Sequence, residues 1–169
     1  MNSDNLTRFI QLFTLGDSAA SQRISERLAL VLRDPAAYQA QYAEELAERG
    51  MEAALPPQEV RDVALIDALL SEDLLWEVDA QDPLAETAEG LNDILERQGR
   101  TERLRLVPSR AAGGPEQLDA VQDALESLGL ALVLLTLDSD AYPLSVVADA
   151  QAEELRTLAQ QLGFGVTVY

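Results

Sequence analysis

The chain contains no histidine, no cysteine and no lysine, so its twelve cationic residues are all arginines. Those absences remove most catalytic chemistry. Histidine is the usual general base near neutral pH, cysteine the readiest nucleophile, and lysine the residue that forms Schiff bases and grips phosphate in a P-loop. Carboxylates, hydroxyls and guanidinium groups remain. They suit a hard metal ion or a two-carboxylate hydrolysis, but aromatics make up only 5% of the chain and no sugar-stacking row accompanies the acids. Without cysteine there is no disulfide framework, which fits a reducing compartment. Met1 to Arg8 lack a cationic stretch leading into an apolar one, and no apolar run approaches the ~20 residues of a membrane span. A cytoplasmic protein is expected.

Base is scarce and acid abundant. Thirty acids against twelve arginines give a net charge of -18, which argues against nucleic acid or an anionic membrane as partner, since phosphate binding needs a cationic surface. A basic protein partner is compatible with that charge, and so is simple solubility. Between Asp62 and Glu96 lie eleven acids and no base, after which Arg97, Arg100, Arg103, Arg105 and Arg110 face only Glu102. An acidic face beside a small arginine patch is expected.

Length and an apolar fraction of 47% allow one ordinary core. Hydrophobic spacing predicts helices over the first 71 residues. Ile24, Leu28, Val31 and Leu32 share one face, and Asp34-Pro35 ends it; Tyr38, Tyr42 and Leu46 make the next row, closed by Gly50. Pro56-Pro57 opens a helix with Val63, Ile66, Leu69 and Leu70 inward, and Leu6 to Leu15 form one more. From residue 72 the rhythm alternates. Leu74 to Val78 reads as a strand, Asp82-Pro83 as a helix start, Leu104 to Val107 as a short edge strand, and Leu118, Val121, Leu125 and Leu128 as a helix stopped by Gly129. Leu130 to Leu137 is apolar enough for a strand buried on both faces, and Leu144 to Ala148 returns beside it. Ala152, Leu155, Leu158, Ala159 and Leu162 mark the last helix, and Phe164 to Tyr169 the last strand. The expected fold is α+β: a helical segment, 1–71, followed by a ferredoxin-like, split βαβ unit, 72–169, with a mixed or antiparallel sheet and helices on one face, all in one compact unit.

The segment Trp76-Glu77-Val78-Asp79 with its acidic helix start, together with Asp138, Ser139, Asp140, Tyr142, Pro143 and Leu144, resembles the bacterial family DUF6630 over roughly residues 65 to 165. That family usually carries an aromatic and a lysine after the first aspartate, where this chain has Ala80 and Gln81. The family name confers no activity. Ala150 to Ala159 is more faintly similar to the acidic, ferredoxin-like regulator of ribonuclease activity B, and that likeness implies a protein that binds and inhibits a nuclease.

Three functions compete. The first is a non-catalytic interaction module, an adaptor, inhibitor or immunity-type protein whose acidic surface masks a basic partner; its candidate residues are Glu72, Asp73, Trp76, Glu77, Asp79, Asp82, Glu86 and Tyr142. The second is a divalent-metal-dependent enzyme in which Asp79, Asp82, Asp138 and Asp140 hold magnesium, calcium or manganese. An EF-hand is excluded, because a loop begun at Asp138 puts Pro143 where the sharp-turn glycine belongs. As turn residues, Asp138 and Asp140 would simply bond their own backbone. The third is an accessory protein kept soluble by its charge. Missing histidine, cysteine and lysine favour the first and third, with no cofactor.

Overall fold

Two aspartates set the register of the first helices. Asp17 Oδ1 accepts from Ala20 N at 3.1 Å and opens α2 (Ser18–Arg33); Asp34 Oδ1 accepts from Ala37 N at 3.1 Å and opens α3 (Pro35–Gln41). Each supplies an acceptor that the first helical turn lacks, worth about 1 kcal/mol. The computed structural model describes residues 3–51, 55–79, 84–105, 115–136 and 141–168. Before these two helices comes α1 (Ser3–Thr14), and after them α4 (Ala43–Glu48) and α5 (Pro57–Ser71). The tyrosine row does not give one helix: the chain bends at Tyr42, whose ring stacks on Tyr38 at 4.5 Å, although Leu46 N still reaches Tyr42 O. Gly50, at φ 80, ends α4 in the left-handed conformation that glycine adopts without a Cβ penalty.

Strand β1 (Trp76–Asp79) follows, then α6 (Leu84–Arg97), α7 (Pro115–Glu126), β2 (Leu130–Leu135), β3 (Ala141–Ala148), α8 (Ala152–Leu162) and β4 (Val166–Val168). All three strand pairings are antiparallel, in the order β1-β3-β2-β4. Thus β1 and β2 run parallel with β3 between them, and β3 and β4 run parallel with β2 between them. A ferredoxin-like sheet centres its first and third strands; here the hairpin pair β2 and β3 holds the centre. Leu104 and Arg105 are not strand, and Leu106 and Val107 lie outside the described residues, so β1 takes the first strand's place. The backbone of Leu104 is tied instead to Asn92, whose Oδ1 accepts from Leu104 N at 2.6 Å and whose Nδ2 donates to Leu104 O at 3.0 Å.

The expectation of helices on one face is corrected: both faces of the sheet are covered. Ala131, Val133 and Leu135 of β2 point into a core with α1, α2, α5 and α8, while Leu130 and Leu132 point into a second core with α6 and α7. The cause is the apolar run of β2, whose successive side chains alternate between faces and are apolar on each. Phe9 of α1 stacks on Phe164, just before β4, at 5.5 Å, so the first core takes residues from both ends of the sequence. Gln98 ties the two sides together, its Nε2 donating to Phe13 O at 3.0 Å and Val146 O at 2.9 Å. No helix among the described residues is long and apolar enough to cross a membrane.

Candidate functional site

Arginine is the scarce ion here, and much of it is spent inside the molecule. Arg23 of α2 forks onto Glu72 at the end of α5, with Nε donating to Oε2 at 2.7 Å and Nη2 to Oε1 at 2.6 Å. Arg97 of α6 lies 3.6 Å from the same carboxylate and donates to Asp17 at 2.8 Å. The hydrogen bond from Arg23 holds the Glu72 carboxyl below its ordinary pKa. Deeper, Arg27 donates to Tyr38 Oη at 2.9 Å, pairs with Glu45, and lies over the Tyr42 ring at 4.3 Å. Arg49 bridges Asp67 and Glu77, each at 2.7 Å. Burial nevertheless pushes the Asp67 carboxyl above its ordinary range, and its Oδ2 lacks a hydrogen-bond donor among the described residues.

These pairings correct part of the expected acidic face. Glu72 has a side chain only 8% exposed and is a counter-ion for two arginines, not a free surface acid; Glu77 is half-buried against Arg49. The sequence order of acids hides this, because their partners lie far away in the chain. Asp73 does face solvent, in a left-handed conformation at φ 59. Asp79 is the last residue of β1 and pairs in register with Ala141. Asp82, Asp138 and Asp140 lie outside the described residues, and among the described residues no group of three or more acidic, histidine or cysteine side chains is arranged to hold a metal. Tyr142 is half-buried opposite Val78 and packs on the second core.

Exposed acids in no ion pair with another described residue occur on several elements, Asp119, Asp123 and Glu126 of α7 among them, and one row of them runs along α6. Glu86, Glu89, Asp93 and Glu96 recur at helical spacing, all four are exposed, and no ion pair joins any of them to another described residue. The opposite face of that helix, Leu91, Ile94 and Leu95, is buried against the sheet. One flank of the acidic stripe borders a groove of 650 Å³, between the end of α5, the start of β1 and α6. Leu70, Leu75, Trp76 and Ile94 give it apolar walls, Asp73, Asp93 and Glu96 give it acidic ones, and its one lining cation, Arg97, is already paired with Asp17 and close to Glu72. Leu70 was expected inward with Leu69; it is turned out, 40% exposed, because consecutive helical residues differ by about 100° in direction.

Trp76 is half-buried in this wall. Its indole lies against Gly90, which leaves no space for a side chain at that position, and its Nε1 is buried without an acceptor among the described residues. An apolar groove edged by carboxylates that form no ion pair among the described residues can receive apolar groups that arrive with positive charge. Sequence reasoning pointed to Asp73, Trp76 and Glu86; it missed Leu70, Gly90, Asp93 and Glu96 as members of one surface. The signal for the last two was present as the i, i+3, i+7 spacing of acids opposite an apolar stripe.

The model of the family described as Domain of unknown function (DUF6630) matches residues 5–169. No curated protein matches, and no solved structure matches.

Proposed function

The chain belongs to the DUF6630 family, and we propose that it is a non-catalytic protein-interaction module that masks a basic surface of its partner. The observation that carries this reading is the stripe of Glu86, Glu89, Asp93 and Glu96, exposed on one helix and joined in no ion pair to another described residue. Arg8, Arg23, Arg27, Arg49 and Arg97 are each engaged with acids other than those of the stripe, while Arg100, Arg103 and Arg105, just after α6, form no ion pair with it among the described residues. A row of like charge steers an oppositely charged protein into encounter and disfavours like-charged competitors. Lack of histidine, cysteine and lysine supports binding over chemistry. The setting is an acidic bacterial protein of the cytoplasm. An adaptor, inhibitor or immunity-type role follows, of the kind the fainter likeness to regulator of ribonuclease activity B implies.

The test begins with capture from native cell extract at low and moderate salt. Any recovered partner is then measured against the wild type and against a chain carrying E86Q, E89Q, D93N and E96Q. Association should slow at least about tenfold and lose most of its salt dependence, with the melting temperature nearly unchanged. Equal binding by the neutralised chain, or nothing above control at low salt, overturns the reading.

A further inference from the structure

The groove beside the α6 stripe has a composition that the stripe alone does not explain. At 650 Å³ it is far larger than an ion needs and falls within the roughly 300–1,000 Å³ of clefts that take organic groups. Its apolar walls include a leucine left 40% exposed and the single tryptophan of the chain. Exposed apolar surface costs solubility, and an aromatic in a groove is the usual anchor of a recognition surface. The carboxylates at the mouth decide which apolar group is admitted. A neutral or acidic segment gains nothing from Asp73, Asp93 and Glu96, whereas lysine or arginine beside the apolar side chain is attracted to them. A second copy of this chain, with net charge -18, is repelled.

We propose that this groove is the specificity pocket for a basic protein segment: one aliphatic or aromatic side chain of the partner seats between Leu70 and Trp76, and lysine or arginine residues flanking it face Asp73, Asp93 and Glu96. This rests on the interaction reading above and adds to it the anchor and its place. Trp76 is suited to adjust to the anchor. The ring is held by packing on Gly90, and its N–H has no acceptor among the described residues to lose if the ring turns. The stripe thus supplies attraction at a distance and the groove supplies contact, so the two contributions separate experimentally.

The probe is a synthetic lysine-rich peptide with one central leucine, compared with the same peptide carrying serine there and with a leucine peptide whose lysines are glutamine. Each is titrated into the full chain, into Leu70→Ser and into the neutralised α6 chain, with binding read by peptide anisotropy and groove occupancy by Trp76 emission. Expected is a saturable change in emission with the lysine-leucine peptide. Affinity should fall about tenfold or more when the peptide leucine becomes serine, and likewise in Leu70→Ser, as burial of a leucine predicts. The glutamine peptide should bind weakly. Binding that ignores the leucine and leaves Trp76 emission unchanged would overturn the pocket while leaving the α6 interaction standing. Equal binding of the glutamine peptide, concentration-dependent dimerisation that competes with the peptide, or no binding of the lysine-leucine peptide would also overturn it. Loss of the stripe's effect on a captured partner is the separate failure of the broader reading.

Discussion

Gly90 lies so close beneath the indole of Trp76 that a Cβ built on it would overlap the ring at Cγ, Cδ2 and Cε2. The relationship sets two effects against each other. In a helix interior alanine is favoured over glycine by about 1 kcal/mol, so propensity alone predicts that Gly90→Ala stabilises α6. Overpacking against a rigid ring costs about 1–3 kcal/mol and should win. Urea unfolding should show a net loss, and Trp76 emission should shift as the ring is displaced toward solvent. A raised melting temperature with unchanged emission would mean that the ring has room to move at no cost.

Glu72→Gln should destabilise by about 1–3 kcal/mol at neutral pH, because it removes a charged acceptor from Arg23 and Arg97. The sign of its pH dependence follows from the lowered pKa. The native state holds this carboxylate ionised where the unfolded chain begins to protonate it, so the stabilisation is present above the ordinary value of 4.5 and is lost as pH falls through the lower native value. Wild type and variant should therefore converge in stability as pH falls below 4.5 and through that lower native value. Parallel curves would show that the pair contributes packing and not charge.

Asp62 should behave in the opposite sense. It accepts from Gly165 N at 2.8 Å and Gln58 Nε2 at 3.0 Å, yet burial raises its pKa above the ordinary 3.8. The native state thus binds this proton more tightly than the unfolded chain, and stability from the group declines as pH rises from 3.8 through the native value. Asn keeps an acceptor oxygen without the charge, so Asp62→Asn should be neutral or stabilising at pH 7, with its advantage shrinking in acid. Asp62→Ala leaves the Gly165 N–H without its acceptor and should cost about 1–3 kcal/mol. Thermal melts of the two variants across pH decide it; a loss in Asp62→Asn equal to that in Asp62→Ala would mean the charge itself is needed.

For the aspartates at 138 and 140, turn chemistry predicts that magnesium, calcium or manganese raises the melting temperature no more than matched ionic strength does. A saturable rise that disappears in Asp138→Asn and Asp140→Asn would promote the metal-dependent enzyme over the interaction module.

Local signals in this chain were legible wherever one period dominates. The five apolar residues of α8 are all buried, Asp34-Pro35 ends α2 and opens α3, Pro56-Pro57 opens α5, and Gly50 stops the chain after α4. The run Leu130 to Leu135 even announced a strand covered twice, which is incompatible with helices on one face. What that run could not say is which helices supply the second layer, since α6 and α7 reach it through contacts that no spacing encodes. The site was partly legible for the same reason. Trp76 and the acids of α6 stand out as residue types, but Glu72 and Glu86 look alike in sequence and differ only because Arg23 folds back across 49 positions to neutralise the first.

The stacking of Phe9 on Phe164 has a consequence for how the molecule is made. Asn5 also bonds Gln161, and Arg8 forks onto Glu154, so α1 meets α8 at sequence separations of 156 and 146. The adjacent α2 covers one side of α1 through local contacts, but the side that faces α8 is buried only when that distant helix docks. Closure of so long a loop before reward makes that docking slow.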